Sequence, residues 1–87
     1  MSIILSKVDY LKDIIAISEE ICKLSINIIK TNFFQDLHLN SIQIFEIFRE
    51  VELKYNIIIP DEIAENMSDL KDIGDYIYTN NLGLSSW

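Results

Sequence analysis

Between Ser41 and Tyr55 apolar residues recur at intervals of three and four, at Ile44, Ile47, Phe48, Val51 and Tyr55. At about 100° per residue the five fall within an arc roughly 100° wide, the pattern of a helix that buries one stripe. Ile42, Phe45 and Leu53 point elsewhere, onto a face shared with Glu46, Arg49 and Glu52. The helix therefore has a core stripe plus surplus apolar residues set among charges. Scattered exposed hydrophobics are common on any surface. Beside Ser41 they could equally form a docking face.

The remaining elements follow the same period. Ser6-Lys7-Val8-Asp9 reads as a helix start, with the hydroxyl as cap and Asp9 in the first turn. Val8, Leu11, Ile15 and Cys22 then share one side, adjoined by Tyr10, Ile14, Ile17 and Ile21, and the pattern fades near Lys23. Residues 24–40 lack periodicity and read as a long structured loop pinned by Ile28, Ile29, Phe33, Phe34 and Leu37. A loop of that length in so small a domain is either functional or hides a misassigned element. Asn56 closes the helix begun at Ser41. Pro60 forces Ile59 into extended backbone and suits the first position of a short helix, 60–66, with Asp61 and Glu62 at its positive end. Ser68 can cap a last helix, 69–79, that turns Leu70, Ile73 and Ile77 inward and carries Gly74 at a cost of about 1 kcal/mol. The fold class is all-α: one domain over residues 1–87, three main helices and a short third one, with residues 81–87 expected as a frayed tail.

Charge narrows the function classes. The formal net charge is −7. Residues 1–35 balance four lysines against four acids, so the whole excess falls in residues 36–75. Such a field repels nucleic acid and attracts basic protein surfaces. A solvated acidic surface that merely keeps the domain soluble is the competing reading. No apolar run approaches membrane-spanning length, and one cysteine excludes an internal disulfide framework. The expectation is a cytoplasmic, soluble protein, without membrane or nucleic-acid partners, present as a single copy.

Chemistry concentrates in Asp36-Leu37-His38-Leu39-Asn40-Ser41-Ile42. Asp36, His38 and Ser41 are the residue types of a hydrolytic triad, but sequence proximity is no support for one, since triads are assembled from separate segments. No G-x-S-x-G elbow is present and glycine is nearly absent, so an oxyanion loop is not expected. One histidine and one cysteine without ligand spacing give no metal site, and Cys22, near an apolar stripe, reads as an inert thiol. Ser41 could simply be a helix cap. If Asn40 caps instead, Ser41 becomes a first-turn residue with a free hydroxyl at a helix N-terminus, where backbone N–H groups favour an attached anion.

Phe34-Gln35-Asp36-Leu37-His38-Leu39-Asn40-Ser41-Ile42 resembles the acyl carrier protein signature F-x-x-D-L-G-x-D-S-L, with slight variation in the leading spacing. Tyr55-Asn56-Ile57-Ile58-Ile59-Pro60-Asp61-Glu62 is similar to that family's F-G-I-x-I-P-D-E. The resemblance implies a four-helix bundle, no catalysis by the chain alone, and a covalent 4′-phosphopantetheine, derived from coenzyme A, on Ser41. Acyl, aminoacyl or polyketide groups would travel on that arm as thioesters. It implies as partners a phosphopantetheinyl transferase and acyl-loading and condensing enzymes with basic docking patches. Asp36, Asn40, Ile42, Phe45, Glu46, Arg49 and Glu52 match positions that would face them. Three departures stand out: Asn40 where Asp is usual, His38 in place of Gly, and Ile42 in place of Leu. Arg49 and Leu53 also depart from the common pattern. Together these lean towards a specialised carrier of polyketide or nonribosomal-peptide type over a housekeeping fatty-acid carrier. An unmodified, carrier-like docking module is the alternative from another class.

Overall fold

The computed structural model describes residues 6–80; the expected tail, 81–87, lies outside the described residues, as does the segment 1–5. Four helices follow in order: α1 (Lys7–Cys22), α2 (Ser41–Tyr55), α3 (Asp61–Ala64) and α4 (Leu70–Thr79). The architecture is an all-helical bundle in which α1 packs against both α2 and α4.

α1 begins with a reciprocal capping box. The Ser6 hydroxyl accepts the Asp9 N–H at 3.2 Å, and the Asp9 carboxylate accepts the Ser6 N–H at 2.9 Å. The bonds from Ser6 favour the charged form and hold the Asp9 carboxyl below its ordinary pKa. Tyr10, Leu11, Ile14 and Ile15 are buried, as is Ser18, whose hydroxyl satisfies itself on the Ile14 carbonyl at 2.7 Å. Val8, expected on this stripe, is half exposed. The buried arc is set by two neighbours at once and centres between Ile14 and Ser18, which leaves Val8 beyond its edge.

Near the start of α1, Tyr10 meets Tyr55 from the end of α2 and Tyr78 from the end of α4, edge-on, at centroid distances of 5.6 and 6.4 Å. The Tyr55 hydroxyl donates to Asp13 at 2.9 Å. Opposite Leu11, Gly74 brings the α4 backbone close: a Cβ built there would lie 3.5 Å from the Leu11 nitrogen. Leu70, Ile73 and Ile77 are fully buried, as their spacing predicts.

The connection from α1 to α2 is anchored differently from expectation. Lys23 closes α1 in the left-handed region, with φ 57°. Of the five apolar anchors expected in the loop, Phe33 and Leu37 are buried, joined by Leu39, while Ile29 and Phe34 are 72% and 59% exposed and Ile28 is also exposed. What fixes the loop is backbone hydrogen bonding to the start of α4. Leu70 N–H donates to the Thr31 carbonyl at 3.1 Å and Phe33 N–H to the Ser68 carbonyl at 2.8 Å. Asn32 and Asp69 form an antiparallel bridge between them, and the buried Thr31 hydroxyl donates to Asp69. Such pairing leaves no periodic trace in the sequence.

The same clasp moves the start of α4. Asp69, not Ser68, is its cap, accepting the Lys71 N–H at 2.9 Å, while the Asp72 carboxylate takes the Ser68 N–H. α3 is shorter than its expected span, with Pro60 just outside it in the cap position, and turns continue to Asn66. Ahead of it Asn56 closes α2 with φ 55°, and Ile59 is buried.

Candidate functional site

Ser41 is the first residue of α2, and the capping duty falls on Asn40. The Asn40 side chain accepts the Gln43 N–H at 2.9 Å, and the Gln43 side chain accepts the Asn40 N–H at 3.1 Å. Two orphan donors are thereby satisfied without Ser41. Its hydroxyl is exposed and makes no hydrogen bond among the described residues. α1, α3 and α4 each carry an acid in the first turn, but α2 carries none. The positive end of its dipole therefore faces Ser41 without a compensating carboxylate in that turn.

The loop delivers Ser41 by a sharp local twist. Leu37 and Leu39 are both buried, and His38 between them adopts φ 53° while its side chain stays exposed. Leu37 N–H donates to the Asn32 carbonyl at 3.0 Å and Leu39 N–H to the Phe33 carbonyl at 2.8 Å. Asp36 closes the same turn by accepting the Asn32 N–H at 2.9 Å. Among the described residues no hydrogen bond joins Ser41 to His38 or Asp36, so the three residue types are not assembled as a triad. No group of three or more His, Cys, Asp or Glu among the described residues is placed to hold a metal ion. No helix there is long and apolar enough to cross a membrane.

A cavity of about 360 Å³ opens beside Ser41, between the loop, α2 and α3. All four phenylalanines of the chain line it. Phe33 and Phe48 are buried and meet edge-on at 6.1 Å, whereas Phe34 and Phe45 are exposed. Asp61 and Glu65 line it from the α3 side. An exposed hydroxyl on an open helix N-terminus, beside a largely apolar cavity, has the room and the field to carry a phosphodiester-linked arm. The sequence did not identify this cavity: Phe34, Ser41 and Asp61 fall within the two quoted motifs, but the walls come from three separate segments whose meeting no spacing encodes.

The seven positions expected to face partners divide into groups. Ile42, Phe45 and Arg49 are exposed on α2, and Leu53 shares that exposure. Glu46 lines a different groove, with Ile17 and Ile21 of α1 and with Glu50. Asp36, Asn40 and Glu52 spend their side chains internally; the Glu52 carboxylate accepts the Ile59 N–H at 2.7 Å and holds the approach to α3. Cys22 is half-buried. Its thiol pKa is pushed up by burial first and by the Glu46 charge second, which keeps it protonated and weakly nucleophilic.

Residues 10–77 match a family model described as a phosphopantetheine attachment site. An acyl carrier protein of Wolinella succinogenes is 39% identical over 51 residues, covering 59% of this chain and 67% of that one. One of Helicobacter hepaticus is 37% identical over the same length. One of Brachyspira hyodysenteriae is 31% identical over 70 residues, covering 80% of this chain and 90% of that protein.

Proposed function

Because the chain belongs to the acyl carrier protein family, we propose that Ser41 is the attachment site of its 4′-phosphopantetheine and that residues 1–87 act as one discrete carrier domain. One observation carries the reading: Asn40 caps α2, leaving the Ser41 hydroxyl exposed at the helix N-terminus. The unpaired N–H groups and dipole of α2 then stabilise a phosphodiester on that oxygen. When bound, the group supplies a terminal thiol that holds acyl cargo as a thioester. The chain's own part is to fix the near end of the arm, to present the apolar surface of Ile42 and Phe45 beside it, and to surround both with negative charge that attracts basic partner surfaces. A phosphopantetheinyl transferase and the loading and condensing enzymes of a biosynthetic pathway are the partners this reading requires.

The reading extends to specialised metabolism, of polyketide or nonribosomal-peptide type, with the housekeeping fatty-acid role as its competitor. Its support is the loss of a charge next to the attachment site at Asn40, together with His38 and Arg49 in place of the family's usual residues. The test is an intact mass after incubation with coenzyme A and a broad-specificity transferase, with Ser41→Ala as control. One phosphopantetheinyl adduct, absent in the variant, supports the attachment site. An adduct retained in the variant overturns the assignment to Ser41 and moves the attachment elsewhere on the chain; none on the folded wild type, with several transferases, leaves an unmodified docking module. Repeating the reaction with a fatty-acid-pathway transferase separates the two metabolic roles: efficient loading favours the housekeeping one.

A further inference from the structure

Phe33 is the hub of the aromatic lining beside Ser41. Its ring meets Phe34 edge-on at 6.3 Å and Phe48 edge-on at 6.1 Å. Such pairs set the positive edge of one ring against the negative face of the next, an attraction beyond the area they bury. Phe34 and Phe45 close the set on the solvent side, 59% and 68% exposed, so each leaves most of a ring without a protein partner. At about 360 Å³ the cavity has room for a further ring. An apolar cavity of about 150 Å³ is enough to hold benzene.

Charge at the cavity is of one sign. Asp61 and Glu65 line it from the α3 side, and no Lys, Arg or His is among the lining residues. Neither carboxylate has an ion pair among the described residues. A third carboxylate brought into the cavity would lose water and meet two like charges, and both effects oppose it. Met67 adds a polarizable thioether to the walls, a favourable neighbour for ring edges. Ser41 lines the same cavity, so a group tethered to its hydroxyl is held close at high effective concentration.

From this lining we infer that the cavity is a cargo site selective for an acyl group that carries an aromatic ring and no carboxylate. The inference rests on Ser41 being the attachment site. An alkyl group of equal size buries the same area against the four phenylalanines, but an aryl group also pairs with their faces and edges. The seated ring covers Phe34 and Phe45, which are otherwise left to water. Cargo that keeps a free carboxylate is turned away by Asp61 and Glu65 and stays outside. The selection therefore reads ring and charge, and it names the class of cargo where the attachment site alone does not.

The test loads the full chain, through a broad-specificity transferase, from amide-linked coenzyme A analogues that do not hydrolyse on heating. Three cargoes are compared: 3-phenylpropionyl, its saturated counterpart 3-cyclohexylpropionyl, and 3-(4-carboxyphenyl)propionyl. Intact mass verifies a single adduct in each case, absent in Ser41→Ala. Thermal unfolding at low salt then sets each against the chain bearing the unacylated arm. The phenyl cargo should raise the midpoint by about 4–8 °C, the cyclohexyl cargo by less than half as much, and the carboxyphenyl cargo not measurably. Phe34→Leu with Phe45→Leu keeps the surface apolar and should bring phenyl and cyclohexyl level. Asp61→Asn with Glu65→Gln should let the carboxyphenyl cargo stabilise the chain. All four positions are exposed, and circular dichroism verifies that the variants fold. NOEs from the cargo ring to the Met67 methyl should place the phenyl group in the cavity. Adducts that neither stabilise the chain nor give those NOEs, or phenyl and cyclohexyl cargoes equal in the wild type, overturn the inference and leave Ser41 as the attachment site. Absence of any adduct overturns both.

Discussion

His38 sits at φ 53° so that Leu37 and Leu39 can both turn into the core ahead of Ser41. A side chain with a Cβ is strained there, although histidine tolerates the region better than most residues. His38→Gly is expected to raise stability by about 0.5–1 kcal/mol, read as a higher urea midpoint at unchanged slope. Tyr55 gives a pH signature. Burial, then its hydrogen bond to Asp13, disfavours the phenolate and raises its pKa above the ordinary tyrosine value. Tyr10, also buried, shifts in the same direction. A raised pKa contributes stability that is present below about pH 10 and is lost as pH climbs towards the folded value, because the unfolded chain ionises first. Urea unfolding at stepped pH should show stability falling above about pH 10, with a shallower fall in Tyr55→Phe. At this scale the sequence was most readable around Ser41, where Asn40 offered an alternative cap. It was least readable at Asp36 and Glu52, whose carboxylates look available in the sequence but hold backbone N–H groups in the fold.

The helices themselves were legible because their signals are local. The bounds of α2 and the capping box of α1 follow from period and cap chemistry alone. The start of α4 did not, because Asp69 is recruited by Thr31 from across the fold. Removing the α2 cap tests how independent the two duties at its N-terminus are. Asn40→Ala should cost about 1 kcal/mol in thermal or urea unfolding yet leave the Ser41 hydroxyl in place. Ser41→Ala should leave stability nearly unchanged. In α4, Gly74 carries no backbone strain, and an added methyl would meet Leu11 and Ile14 at 3.5–3.8 Å, ordinary contact distances. Gly74→Ala is therefore expected to stabilise by about 0.5–1 kcal/mol through helix propensity and a less flexible unfolded chain. A destabilised variant would show that α1 and α4 cannot give by even that much.

Across the whole molecule, charge and apolar surface are distributed unevenly. The acidic excess lies in residues 36–75, and the exposed Ile42, Phe45 and Leu53 lie within that same half. Association with a basic transferase should accordingly weaken as salt is raised, chiefly through a slower on-rate, which stopped-flow binding at stepped ionic strength would measure. The bundle class could be read from three amphipathic periods, but the cavity beside Ser41 could not. It exists only once Phe33 and Phe34 from the loop are brought against Phe45 and Phe48 of α2, and nothing in their spacing announces that meeting.

The bridge between Asn32 and Asp69 divides the long connection into two spans with different obligations. The first, from Lys23 to Lys30, spends few hydrogen bonds on the rest of the fold, so lengthening it costs only the slow logarithmic growth of loop-closure entropy. The second, from Phe33 to Asn40, is fully committed to turns and buried leucines. An insertion after Leu24 should be absorbed, whereas one of the same size after Leu39 would change the phase at which the chain enters α2 and turn Ser41 to a new azimuth. The clasp thus acts as a datum from which the position of the Ser41 hydroxyl is measured, insulating it from length variation upstream.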